Sequence, residues 1–352
     1  MRLVRADRLV ALVAAVMEGA GSASAEAATI ARRLVDSNLA GHDSHGVIRV
    51  GKYLDWVREG NLRPNAKPEV IFDSGAVAIV DGNRGFGQVI GEYAGALGVR
   101  KARESGIALV GLRNCGHLGR LGDWAELAAE AGQVSLHFLN TSGAQRVAPF
   151  GGSDRRLSTN PLCVGVPQRG ADPVILDITT SMVAEGKLMV AMNKGESVPP
   201  GWIVDAQGRS TTDPRDFYAG GALLTIGGHK GSGLSMITDL LAGALTMGRS
   251  SDPSDTAIRN NMLSIYIAPS FYDRDEQVPA EVRRFVDWVK ASPPLDAAQP
   301  VLAPGEIERT TRAKRMHEGV PLDDATWNDL VAAAKSIGME PARVASIVGS
   351  TR

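Results

Sequence analysis

The chain has 352 residues, 44% of them apolar and 22% charged, with 38 Lys and Arg against 39 Asp and Glu for a formal net charge of -1. That length exceeds an ordinary single domain and allows a large core, and the composition excludes disordered and fibrous classes. The balanced charge supplies no field for holding nucleic acid or an anionic membrane surface. The two cysteines, Cys115 and Cys163, form no metal-like pair or disulfide framework and suit a reducing, cytoplasmic setting.

Arg2, Arg5 and Arg8 precede the apolar stretch 9–17, and Ala23-Ser24-Ala25 follows it, in the order of a secretion signal. Asp7, Glu18 and the recurrence of Leu9, Val10, Val13, Ala14 and Met17 favour an amphipathic helix over 6–18 instead. Helices are also predicted over 24–40 and from Gly46 to about Arg58, closed by Gly60. Val77-Ala78-Ile79-Val80 before Asp81-Gly82-Asn83 predicts a strand and a turn. A helix over 88–104, a strand over 107–112, a helix over 117–131 stopped by Gly132 and a strand over 134–139 come next. Strands are read at 163–167 and 174–177, then a helix over 180–191, whereas 194–222, rich in Pro, Gly and Asp, reads as surface loops. A strand at 223–226 turns through glycines into a helix over 231–246. Beyond it lie a strand at 262–267 and helices over 278–291, 306–317 and 324–336, the last two after a proline-punctuated linker. No stretch approaches the ~18 apolar residues of a membrane span. Mixed strands and helices indicate an α/β chain without fixing the sheet as parallel.

The densest polar group is Gly41-His42-Asp43-Ser44-His45-Gly46-Val47-Ile48-Arg49. If Gly46 opens the helix, His45 and Arg49 share one face. Such a pair suits a 2-oxo acid, with Arg49 forking onto the carboxylate and His45 donating a proton to the neighbouring carbonyl oxygen. Plainer readings make Ser44 an N-cap and the histidines surface turn residues. A metal at His42, Asp43 and His45 would support hydrolysis, but no further His or Cys cluster completes the shell.

Asn114-Cys115-Gly116-His117-Leu118-Gly119-Arg120 is a glycine-bearing turn that can hold a phosphate, present His117 to a cleft, or serve only as a tight connection. In Gly227-Gly228-His229-Lys230-Gly231-Ser232-Gly233 a glycine follows Lys230 where a phosphate loop needs Ser or Thr. Neither this segment nor 81–87 meets the context of a dinucleotide fingerprint. What remains is an anion site at a helix N-terminus, or glycines for close packing. Asp177-Ile178-Thr179-Thr180-Ser181 and Pro304-Gly305-Glu306 read as helix entrances.

Taken in order, eight segments resemble the malate/L-lactate dehydrogenase type-2 family, which includes ureidoglycolate, diketogulonate and cyclic-imine reductases. They are Gly41 to Gly46, Gly85-Phe86-Gly87-Gln88, Gly116-His117, Thr159-Asn160-Pro161, Leu176-Asp177, Gly186-Lys187, His229-Lys230-Gly231 and Pro304-Gly305-Glu306. Val147-Ala148-Pro149-Phe150, Val198-Pro199-Pro200-Gly201 and Trp288-Val289-Lys290-Ala291-Ser292-Pro293 are similar to the family's hydroxycarboxylate dehydrogenase B branch.

The resemblance implies a mixed α/β fold in which 71–299 form a non-Rossmann nicotinamide-binding domain with a mainly antiparallel sheet. Residues 1–70 and 300–352 would form a helical domain built from both chain ends, in a homodimer. It implies NAD- or NADP-dependent hydride transfer between 2-oxo and 2-hydroxy acids. Ser44 and His45 match the catalytic pair, Arg49 the carboxylate binder and Thr159 a residue near the substrate. The matches to cofactor-lining segments are His117, Leu118, Gly119, Arg120 and Leu121, then Asp177, Ile178, Thr179, Thr180 and Ser181. His229, Lys230, Asn260, Pro304, Gly305, Glu306 and Ile307 complete that set. In the ureidoglycolate branch the histidine matching His117 is assigned as the base, which leaves the division between His45 and His117 open. Lys187 stands where cyclic-imine reductases carry an acidic residue, which counts against imine reduction. The rival readings are a metal-dependent hydrolase at His42 and His45 and a non-catalytic anion-binding protein.

Overall fold

In the computed structural model, which describes residues 2–255 and 257–349, the N-terminal apolar stretch is helix α1 (Ala6–Gly19). Leu9, Leu12, Val13, Val16 and Met17 recur at helical spacing and are fully enclosed. They pack on Ile30, Ala31 and Leu34 of α2 (Ser24–Leu39). Trp327 and Leu330 of α11 (Asp324–Ser336) and Val344 of α12 (Pro341–Val348) complete the same cluster. A ribbon of β1 (Arg2–Val4) antiparallel to β12 (Val320–Leu322) ties the chain ends together. Strands this short carry no readable alternation, so the sequence does not announce them.

The main sheet has seven strands: β2 (Glu69–Ser74), β3 (Val77–Asp81), β4 (Ile107–Cys115), β11 (Arg259–Ile267), β5 (Val134–Ser142), β6 (Leu162–Gln168) and β7 (Ala171–Ile178), in that spatial order. Only β3 and β4 run parallel, joined by the crossover helix α4 (Gly87–Ser105), and every other neighbouring pair is antiparallel. The fold is thus mixed α/β with a mainly antiparallel sheet. Helices α4 and α5 (Gly122–Glu130) cover one face, burying Ile90, Ala94, Trp124 and Ala128 against Val110, Leu112, Met262 and Tyr266. Helix α8 (His229–Asp239), continued by the π-helical turn Leu240–Ala244, packs against β5 and β11. Helix α9 (Gln277–Lys290) lies on β6. No described helix is long and apolar enough to cross a membrane.

Three sequence expectations shift. The helix expected from 117 begins at Gly122, because Gly119 takes φ +74° and the Leu118 N–H goes to Asn260. The helix expected from 180 is α6 (Glu185–Lys194), because Thr179 and Ser181 turn their hydroxyls on each other and Ser181 also donates to the Val183 carbonyl. The stretch read as surface loops contains α7 (Pro214–Tyr218) and a small sheet, in the order β10 (Ala222–Leu223), β8 (Ile203–Val204), β9 (Ser210–Thr211). It has its own core of Val147, Leu188, Ile203, Phe217 and Leu223.

Candidate active site

Helix α3 (Arg49–Arg58) starts at Arg49 and not at Gly46, because Asp43–His45 form a separate 3-10 turn and Gly46 is extended at φ -89°, ψ -149°. His45 and Arg49 therefore do not meet as neighbours on one helix face. Arg49 instead bends back, and its Nε donates to the Ser44 carbonyl at 2.6 Å. Its two terminal amino groups have no partner among the described residues. Ser44 Oγ lies 3.0 Å from His45 Nδ1. Asn38, fully buried at the end of α2, holds this turn: its Oδ1 accepts from Val47 N (2.9 Å) and its Nδ2 donates to Asp43 Oδ1 (2.7 Å). Arg315 of α10 (Glu306–Glu318) forks onto Asp43 at 2.6 and 3.0 Å, and Glu308 lies 3.4 Å from His42 Nε2. His42 and Asp43 thus have partners of their own. The described residues contain no group of three or more His, Cys, Asp or Glu that could hold a metal ion.

His117 approaches this turn from the loop after β4. That loop runs against residues 85–88 so closely that a Cβ on Gly87 would sit 2.2 Å from the His117 carbonyl oxygen. The imidazoles of His45 and His117 stack, with centroids 5.5 Å apart and planes 20° apart. Tyr53 of α3 places Oη 2.8 Å from His117 Nδ1, and Gln88 Nε2 donates to the same Oη at 2.8 Å. Both rings have Nδ1 engaged, and Nε2 of each is free among the described residues. Burial pushes His45 down to about 3, with the Arg49 charge the next cause, and burial followed by Arg49 and His45 holds His117 well below its ordinary value. The pair is neutral at ordinary pH. Gly186 of α6 closes on the same turn, since a Cβ there would lie 2.8 Å from Ser44 Cβ.

The remaining expected residues lie on other segments, and most of their side chains are committed within the fold. Asn260 spends its side chain on the loop, accepting from Leu118 N at 2.8 Å and donating to Thr141 Oγ1 at 2.9 Å. Asp177, its carboxyl pushed up by burial, accepts from Gly122 N at 2.7 Å. The Arg120 side chain is 1% exposed and committed to Asp123 and Glu126, so only its backbone can meet a ligand. The N–H groups of Gly119, Arg120 and Leu121 have no acceptor among the described residues. The Thr159 carbonyl accepts from the Thr180 N–H and from both the Thr179 and Thr180 hydroxyls, and Ile178 ends β7 beside them. The Pro304 carbonyl accepts from Ile175 N at 3.1 Å, Gly305 caps α10 at φ +93°, Glu306 pairs with Lys290, and Ile307 is exposed. His229 and Lys230 are exposed at the start of α8, His229 against Phe150, and no hydrogen bond or ring contact among the described residues joins them to the imidazole pair. The unpaired N–H groups of Gly119, Arg120 and Leu121 at the entrance to α5 are donors that a dinucleotide's phosphates accept, so this turn fits a nicotinamide cofactor.

Sequence reasoning passed over Tyr53, Asn38, Arg315 and Glu308. Only Tyr53 left a signal, four residues after Arg49 and hence on its side of the helix.

Residues 4–331 match the family model described as malate/L-lactate dehydrogenase. Hydroxycarboxylate dehydrogenase B of Escherichia coli (strain K12) is 42% identical over 341 residues, covering 95% of this chain and 94% of that protein. An L-lactate dehydrogenase of Cupriavidus necator is 35% identical over 317 residues, covering 88% and 90%. The solved structure of malate dehydrogenase from Pyrococcus horikoshii OT3 matches with a TM-score of 0.86 at 30% identity, over 97% of this chain and 96% of that one. The chain belongs to the malate/L-lactate dehydrogenase family.

Proposed function

We propose that the protein is a cytoplasmic dehydrogenase that interconverts 2-oxo acids and 2-hydroxy acids with NAD or NADP. The observation that carries the reading is two stacked imidazoles with free Nε2 atoms beside an arginine whose terminal amino groups are free. Arg49 takes the substrate carboxylate in its fork, which turns the C2 oxygen toward the imidazoles. When bound, the nicotinamide supplies or removes the hydride at C2. In oxidation a neutral imidazole accepts the hydroxyl proton, and neutrality is the state that burial and Arg49 impose. In reduction the carboxylate on Arg49 offsets part of the charge that keeps the ring neutral, so the imidazolium becomes reachable when substrate is present.

The cofactor is held by the N–H groups of Gly119 to Leu121, with the 177–181 and 304–307 segments lining its site. The helical part (1–70 and 300–352) and the sheet part (71–299) act as two domains that close the cleft between them. A homodimer is supported by Met236, Ile237, Leu240 and Leu245, each more than half exposed on α8 and its continuation. Light scattering at the mass of one 37.1 kDa chain would remove the dimer. The activity is tested by NADH and NADPH oxidation with pyruvate, oxaloacetate, 2-oxoglutarate, phenylpyruvate and hydroxyphenylpyruvate. No turnover with any of them sinks it, and anion binding without turnover would favour the non-catalytic rival.

A further inference from the structure

Tyr53 and Gln88 are both buried, at about one per cent exposure each, and both polar ends point into a single hydrogen-bonded line that finishes on His117. The line has a direction. An amide nitrogen only donates, so Gln88 Nε2–H occupies the Tyr53 oxygen as an acceptor. Burial pushes the Tyr53 phenol well above its ordinary value, so the hydroxyl keeps its hydrogen across the neutral range. That hydrogen then points at His117 Nδ1, and the ring hydrogen of a neutral His117 must sit on Nε2. The reversed amide would put Gln88 Oε1 on Tyr53 and impose the opposite tautomer. It would also leave a buried NH2 without an acceptor, whereas the present orientation leaves only the Oε1 carbonyl oxygen unpaired. Orphaned donors are the rarer and costlier of the two.

His45 is held differently. Its Nδ1 faces the Ser44 hydroxyl, which has no other hydrogen bond among the described residues and can accept from Nδ1–H as readily as it donates. His45 can therefore carry a hydrogen on Nδ1 whether Nε2 is bare or protonated. Protonating His117 at Nδ1 would instead turn an N–H against the Tyr53 oxygen and displace the phenolic hydrogen into a buried place. The charged and titratable groups around the pair are Arg49 and His42 on the same segment and Arg120 from the loop before α5. On α6, which packs on Ser44, Glu185 is paired with Arg146 at 2.9 Å.

We propose that Tyr53, oriented by Gln88, is a positioning residue that locks His117 as its neutral Nε2–H tautomer, so that His117 offers a permanent hydrogen-bond donor to the C2 oxygen while His45 carries the proton. The two imidazoles divide electrophilic and acid–base work, and their tethers decide which does which. What the Nε2–H faces rests on the 2-oxo acid reading; the tautomer itself does not.

The test is a two-bond 1H–15N spectrum of the full-length, ligand-free protein labelled at histidine, at pH 7. The expected His117 pattern is protonated Nε2 and bare, hydrogen-bonded Nδ1. Tyr53→Phe, which removes only the hydroxyl, should convert this to a tautomer mixture and lower kcat/KM roughly three- to tenfold, with the titrating limb of kcat still belonging to His45. An Nδ1–H tautomer at His117 in the wild type overturns the proposal. So does an Nε2–H tautomer that Tyr53→Phe leaves unchanged. The wild-type spectrum decides the first point even if the variant fails to fold, and Gln88→Leu repeats the second by removing the donor to the phenol. A protein that turned over no 2-oxo acid would sink the proposed function and leave the tautomer result standing.

Discussion

Two places among the described residues hold imidazoles whose basicity burial depresses, and only one of them is built to act. His137 on β5 is fully enclosed, and both ring nitrogens are taken: Nδ1 lies 2.9 Å from Ser264 Oγ and Nε2 3.0 Å from Ser135 Oγ. His45 and His117 are half-buried, each with Nδ1 engaged and Nε2 free among the described residues. Burial pushes His137 and His45 down to about 3 alike, so depressed basicity does not separate a site from a core. Free valence and a nearby charge do. Arg49 acts on both cleft histidines, whereas burial is the only cause found at His137.

The comparison breaks first at His45. His45→Ala should lower kcat by about a hundredfold or more while cofactor affinity is largely retained; steady-state kinetics at saturating cofactor with a near wild-type kcat would place His45 with His137 among the structural residues. Arg49→Lys keeps the charge but loses the fork and the Nε bond to Ser44, so kcat/KM should fall roughly ten- to a hundredfold. An unchanged value would take Arg49 out of the site.

His137→Phe should move stability and not turnover. It strands two buried serine hydroxyls at a cost of about 1–3 kcal/mol, readable as a lower denaturation midpoint with kcat intact. The pH dependence has a definite sign. Unfolded histidine titrates near 6.5, above the folded value of about 3. The folded state thus binds fewer protons between those limits. The contribution is fully present above about pH 6.5 and is lost as pH falls toward about 3, by up to ~1.4 kcal/mol per pH unit. His137→Phe should flatten that slope; equal slopes in wild type and variant would mean that the ring titrates normally in place.

Sequence periodicity reached the elements that bury one clean face. α1 was legible because Leu9, Val10, Val13, Ala14 and Met17 recur at helical spacing, and β4 and β11 because their apolar runs are long enough to read. It failed where local chemistry outweighs pattern: the glycine and asparagine contacts that keep 117–121 out of α5, the hydroxyl bonds that delay α6, and the two-residue strands of the small sheet. The polar cluster around His45 stood out on composition. Its meeting with His117 did not, because the two lie 5.5 Å apart in space and in separate turns of the chain, and only the family resemblance placed them together. The spacing of Tyr53 from Arg49 and the segment ending at Gln88 could be read, but the hydrogen-bonded line that joins both to His117 crosses three segments and leaves no trace in spacing.

The smallest effect concerns the charge that distinguishes the cleft from the sheet interior. Arg49 is the second cause, after burial, of the low basicity of His45. A ligand carboxylate in its fork offsets that charge, and a neutralised neighbour shifts an ionisation by roughly 1–3 units. From a starting point of about 3, His45 would then take up at most about half a proton at pH 6 and about a hundredth of one at pH 8. Oxamate, a carboxylate mimic of a 2-oxo acid, can be titrated calorimetrically into the reduced-cofactor complex in buffers of different ionisation enthalpy, which counts that proton directly. Uptake at pH 6 that fades by pH 8 and disappears in His45→Ala would tie substrate binding to arming of the acid. Proton release, or uptake that persists without His45, would mean that the Arg49 charge is balanced elsewhere and that the cleft and the sheet interior differ in free valence alone.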